Sequence, residues 1–132
     1  MPVATEVDDL ERQIVRLEEE IRRRKTKVIQ LSNDIEEAHE YVERCKASAD
    51  LCKENLKKLK SESLVSLEDF RDMQKLYEDN MDLMIQHKAI ASNKIHERTA
   101  LLKEQIPFLE SSLSECKCKL SKWGQVVPFK MR

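Results

Sequence analysis

Apolar side chains recur in alternating steps of three and four residues through nine uninterrupted heptads between Val7 and Ser66. The a positions hold Val7, Ile14, Ile21, Val28, Ile35, Val42, Ala49, Leu56 and Ser63, and the d positions hold Leu10, Leu17, Arg24, Leu31, Ala38, Cys45, Cys52, Leu59 and Ser66. A 3.5-residue repeat traces one narrow seam along a helix, and such a seam is buried only against another helix. The pattern predicts a coiled-coil helix over 6–62. It follows a non-helical lead over 1–5, which contains Pro2 and in which Thr5, with Asp8 three residues on, caps the helix start.

The seam fades at Ser61-Glu62-Ser63-Leu64-Val65-Ser66. Ser66 with Asp69 three residues later forms a capping box, and Val65 against Phe70 supplies its hydrophobic staple. A second coiled-coil helix is expected over 67–123, with 63–66 as a turn or, in a continuous helix, a stutter. Its seam reads Leu67, Phe70, Tyr77, Met81, Met84, Ala91 and Ile95, then shifts through Leu102 and Ile106 to Leu109, Leu113, Cys116, Leu120 and Trp123. Pro107 removes an amide and crowds the carbonyl of Lys103, which predicts a kink or break between these residues. Gly124 suits a left-handed helix end, leaving a tail over 124–132.

Two all-α architectures fit this pattern of long coiled-coil helices: an antiparallel helical hairpin, and one long, kinked rod in a parallel coiled coil. Charge favours the hairpin. Residues 44–60 carry six basic and two acidic groups, and the segment that would lie opposite, 67–83, carries two basic and six acidic groups. Opposite flanking charges select partner and orientation in coiled coils. Size points the same way, because Ala38, Cys45, Ala49 and Cys52 would face Tyr77, Met81 and Met84, and interdigitation needs large opposite small. The β-branched a residues with leucine at d over Val7 to Leu31 are instead what parallel dimers prefer, which keeps the rod as the alternative.

Composition narrows the class further. Hydrophobic residues make up 40% and charged residues 37% of the 132 positions, with a single glycine, so the chain is too polar for a thick core and too poor in turn residues for sheets. A net charge of -1 gives no global attraction to nucleic acid or anionic membrane. No apolar run is long enough to span a membrane, and acids near the N-terminus are unlike a secretory signal. The expected location is intracellular, cytoplasmic or nuclear, with Cys45, Cys52, Cys116 and Cys118 as reduced thiols.

Few residues offer chemistry. Arg24 at a d position is a candidate register selector, against the plainer reading that its stem snorkels while Glu20 binds its head. Glu18, Glu19 and Glu20 each precede an arginine by four residues, Arg22, Arg23 and Arg24, which predicts three stabilising helix-surface pairs. Cys116 and Cys118 point about 200° apart on a helix, and His39, His87 and His96 are scattered, so no metal site is expected. Catalytic, cofactor-binding and metal-ligating residues are read as none. The tail offers Trp123, Val126, Val127 and Phe129 as a docking peptide, unless these fold back on the last helical turn.

These observations lead to a non-enzymatic structural or adaptor subunit that pairs with helical protein partners or with itself, as a dimer or four-helix bundle. Leu76, Leu83, Ile85, Ile90 and Leu101 lie off the seam and call for a second buried face. No cofactor, small-molecule substrate or membrane insertion is expected. Complexes of the cytoskeleton, of chromosomes or of trafficking are the settings that use such subunits. The alternative is a nucleic-acid-binding dimer that uses the basic stretches 22–27 and 53–60. It is the weaker reading, because no aromatics interleave these stretches for base stacking.

Overall fold

The computed structural model describes residues 4–62 and 66–126. Helix α1 spans Ala4–Ser61, α2 spans Leu67–Ala100, a π-helical turn spans Leu101–Gln105, and α3 spans Ile106–Val126. The described residues contain no strand, and the chain is an antiparallel helical hairpin, not a rod. It divides into two units, Met1–Gln30 with Glu97–Arg132, and Leu31–His96.

In the unit Leu31–His96, α1 and α2 run antiparallel, and residues on either side of 63–65 close the two helix ends. The Ser61 hydroxyl donates to the Lys58 carbonyl at 2.8 Å, and the Ser66 hydroxyl accepts the Asp69 amide at 3.1 Å. Together with the Phe70 amide donating to the Ser66 carbonyl at 3.2 Å, this is an N-cap, which satisfies amides that the first helical turn leaves without partners. The staple expected from Val65 lies outside the described residues. Register along the arms is marked by the Lys94 ammonium on Asp34 at 3.0 Å and by the Tyr41 and His87 rings, whose centroids are 4.0 Å apart.

Small residues on α1 face large ones on α2. Leu31, Ile35, Ala38, Val42, Cys45, Ala49 and Cys52 are buried, whereas Phe70, Tyr77, Met81, Met84 and Ile95 are half-buried and only Ala91 of α2 is fully enclosed. Short side chains are covered completely by long ones, and the long ones keep an edge in water because two helices shield only one stripe each.

The burial pattern also shows a heptad in α2 that polar residues disguise in the sequence. Its a positions are Phe70, Tyr77, Met84, Ala91 and Arg98, and its d positions are Met73, Asn80, His87, Lys94 and Leu101; every one is half-buried or buried. Against this frame, Leu67, Met81, Ile95 and Leu102 occupy the flanking e row. The two outer members are not seam residues: Leu67 is 64% exposed and Leu102 50%.

In the unit formed by Met1–Gln30 with Glu97–Arg132, Val7, Leu10, Ile14 and Ile21 of α1 are buried, together with Leu101 and Ile106. Helix α3 has a second strict heptad, Ile106, Leu113 and Leu120 at a, with Leu109, Cys116 and Trp123 at d. It lies one residue out of phase with that of α2, whose frame would have put Gln105 and Phe108 in the seam. The π turn inserts that residue. The Ile106 amide bonds the Leu101 carbonyl, five residues back, so the two apolar residues share one face, although five residues of α-helix would set them about 140° apart. Phe108, displaced from the seam, is 71% exposed.

Where a kink or break is expected between Lys103 and Pro107, the structure has a π turn over Leu101–Gln105, which overlaps that stretch. Two expectations need correction here. Helix α1 begins at Ala4, so Thr5 lies inside it and does not cap it. Helix α3 runs through Gly124 to Val126, and no described glycine has a positive φ.

The phase shift separates two neighbouring leucines. Leu101→Ala empties an enclosed site and should cost about 2–5 kcal/mol, whereas Leu102→Ala should cost less than about 1 kcal/mol. Urea midpoints of the two variants check this, and equal losses would contradict the π-turn phase.

Candidate helix-pairing surface

The closed seam holds its antiparallel register through flanking polar contacts. Glu18 and Lys25 occupy e positions of α1, and Glu110 and Lys117 occupy e positions of α3. Lys25 pairs with Glu110 at 3.6 Å and Lys117 with Glu18 at 3.9 Å, so the signs alternate along the two helices. Each pair is more than half exposed, and such pairs contribute about 0.2–1 kcal/mol. They act by penalising other registers more than by strengthening this one.

Arg24 is half-buried at its d position. Its guanidinium binds the carboxylate of Glu20 one turn earlier, and its Nε donates to Gln105 Oε1 at 3.2 Å. The hydrogen bond from Arg24 is the main cause that holds the Glu20 carboxyl below its ordinary pKa, and the nearby charges of Arg24 and Arg23 act in the same direction. The other two expected pairs use a shorter spacing, Arg22 to Glu19 at 3.4 Å and Arg23 to Glu20 at 3.1 Å, three residues apart in place of four. Glu18 is thereby left to reach across to Lys117.

Of the residues read as seam, Val7, Leu10, Ile14, Ile21, Leu31, Ile35, Val42 and Ile106 are buried. Leu17, Val28, Leu56, Leu59, Phe70, Tyr77, Met81, Met84, Ile95, Leu109, Leu113, Leu120 and Trp123 are half-buried. Leu101, read as an off-seam residue, takes the place expected of Leu102. Asn80 and Lys94 escape the apolar pattern, because a polar residue at a seam position reads as an interruption; the seven-residue spacing of Phe70, Tyr77, Met84 and Ala91 is the signal that reveals them, and no such signal marks exposed Gln105, which meets Arg24 from outside the seam. The Val126 side chain, Val127 and Phe129 of the tail lie outside the described residues.

The thiols are all free, with Cys45 and Cys52 buried, Cys116 half-buried and Cys118 exposed. The Cys116 thiol donates to Gln13 Oε1 across the helix pair at 3.8 Å. Among the described residues, no group of three or more His, Cys, Asp or Glu is placed to hold a metal ion, and no helix is long and apolar enough to cross a membrane.

Outside the seam, apolar side chains stand uncovered. In Leu31–His96 these are Tyr41, Leu51, Leu67, Leu76, Ile85 and Ile90, with exposures of 37%, 60%, 64%, 51%, 61% and 42%. Leu76 and Ile90 share the g row of α2 with half-buried Leu83, and Ile90 lines one groove with Asp34, Ala38, Tyr41, His87 and Lys94. Val15, Ile29, Leu102 and Phe108 are the counterparts in the other unit. No protein-family model, curated protein or solved structure matches this chain.

Lowered in the folded state, the Glu20 pKa makes the Glu20–Arg24 contact stabilising above the ordinary value of 4.5, and this contribution is lost as pH falls through the lower folded value. Wild type should therefore exceed Glu20→Gln in urea midpoint at pH 7, with the gap closing as pH drops below 4.5. A gap that persists or widens on acidification would contradict this role for Glu20.

Proposed function

We propose that this chain is a non-enzymatic structural or adaptor subunit that mediates protein assembly by pairing its helices with other helices. The observation that carries this reading is the uncovered apolar surface of the helix pair, above all Leu76, Ile85 and Ile90 of α2. Leu83 and, apart from Ala91, the α2 residues that face the seam are themselves only half-buried. A two-helix hairpin cannot enclose more than one stripe of each helix, and rows of apolar residues beside that stripe are what the inside of a larger bundle uses. An assembly in the cytosol or nucleus, of the cytoskeletal, chromosome-associated or trafficking kind, suits a chain with these features.

The basic stretches support nucleic-acid binding less well. Arg22, Arg23 and Arg24 are engaged by Glu19 and Glu20, so the cluster presents paired charge in place of a free phosphate-binding row.

The native mass of the chain decides the matter. In cell extract at physiological salt it should run as an assembly of at least twice the 15.5 kDa chain mass. A monomer both in extract and when pure, with a melting temperature independent of concentration, would overturn the reading. A low-salt complex with duplex or single-stranded nucleic acid, weakening steeply as salt is raised, would favour the alternative.

A further inference from the structure

We infer that the unit Leu31–His96 carries a self-complementary face and that its occupant is a second copy of this chain, the two hairpin tips side by side with α1 of each copy against α2 of the other. The inference rests on the assembly reading above and names the partner, the face and the orientation.

The face is the g side of the helix pair. Asp34 and Tyr41, both at g on α1, touch Lys94 and His87 of α2, and Ile90, at g on α2, lines the same groove. The g row of α2 is apolar throughout this stretch, Leu76, Leu83 and Ile90, whereas the g row of α1 continues from Tyr41 through the short polar residues Ser48 and Asn55. In the register of the Asp34–Lys94 and Tyr41–His87 contacts, Leu76 lies level with Cys52, Leu83 with Cys45 and Ile90 with Ala38. The large residues of α2 thus stand beside the thinnest part of α1. On the opposite e side, α1 presents His39, Lys46 and Lys53, and no comparable row forms.

Charge lines the same face with opposite signs at its two edges. In the part nearest residues 62–66, the c row of α1, next to its g row, holds Arg44, exposed Leu51 and Lys58, with Glu37 farther along it; the c row of α2 holds Asp72 and Asp79, with Gln86 and Asn93 farther along it. A closed dimer uses one patch twice through a two-fold axis, and only two face-to-face arrangements satisfy that. With the axis along the helices, α1 of one copy covers α2 of the other. Lys58 then lies two residues from the level of Asp72 on both edges, by the register of the Asp34–Lys94 and Tyr41–His87 contacts, and Leu76 and Leu83 enter beside Ser48 and Asn55. With the axis across the helices, α1 covers α1 and α2 covers α2, so the short Ser48 and Asn55 face short residues again, leucines stack on leucines, and Asp72 and Asp79 face a row of α2 that holds no base. Opposite charges across an interface are complementary and large side chains pack best against small ones, which selects the first arrangement.

Sedimentation of the purified full-length chain over a concentration series tests the inference, with helicity recorded for every variant. Wild type should dimerise below about 0.1 mM, a dissociation constant ordinary for a modest interface. The exposed-face variant Leu76→Glu with Ile90→Glu should weaken the dimer by at least about tenfold at unchanged helicity. Lys58→Glu, which sets like charges against each other on both edges, should weaken it by roughly tenfold, and adding Asp72→Lys to that variant should restore it to within about threefold of wild type. A charge reversal without effect overturns the α1-to-α2 arrangement. A dimer indifferent to glutamate at 76 and 90 overturns the face. A pure wild-type monomer overturns self-pairing, and the mass in extract then decides separately whether the assembly reading stands.

Discussion

A contact one side chain wide carries the tertiary energy of each helix pair. Two helices in antiparallel contact can dry only the stripe where they meet, so the identity of the side chains along that stripe decides how close the backbones come and how much is left wet. Along the middle of α1 the stripe is made of Ala38, Cys45, Ala49 and Cys52, all buried, and the opposing Tyr77, Met81 and Met84 are long enough to cover them. The polar contacts are subordinate to this line. Lys25 with Glu110, Lys117 with Glu18, and Lys94 with Asp34 sit beside the seam and add little free energy, but each loses its partner when the register slips.

The same constraint explains the π turn. Two strict heptads must both point their apolar rows at α1, yet they are one residue out of step on either side of Gln105. A straight α-helix would bury Phe108 or Leu109, never both rows in turn. Widening one turn absorbs the surplus residue and lets Leu101 and Ile106 meet the seam together, at the cost of leaving Phe108 in water. The surplus residue sits next to Gln105, whose side chain reaches Arg24. The charge at d is thus met by the stretch of backbone that departs from α geometry.

Most of the architecture was legible because it depends on periodicity. The α1 heptads, the Ser66 cap and the reversal favoured by opposite charges on 44–60 and 67–83 all follow from local chemistry that the sequence displays. The second helix was read less well, for a physical reason. Its seam uses Asn80, His87, Lys94 and Arg98, which lie half-buried, with the His87 ring on Tyr41, the Lys94 ammonium on Asp34 and the Asn80 amide on the Leu76 carbonyl. Pattern reading counts such residues as gaps and moves to the neighbouring apolar row, which puts Met81, Ile95 and Leu102 in the seam in place of Asn80, Lys94 and Leu101. The π turn could be suspected from Pro107 but not placed, because its position depends on where the two phases meet, not on any one residue.

The two enclosed thiols of the thin stretch have a consequence of their own. Cys45 and Cys52 are 5% exposed and sit where the opposing arm leaves room for nothing bulkier. A maleimide or a glutathionyl group attached to either sulfur has no space in the closed pair, and an electrophile can reach them only while the arms are locally parted. Their labelling rate, set against that of exposed Cys118 in the same molecule, is therefore a built-in clock for the breathing of this stretch, and a companion helix that clamps the arms together will slow the first without changing the second.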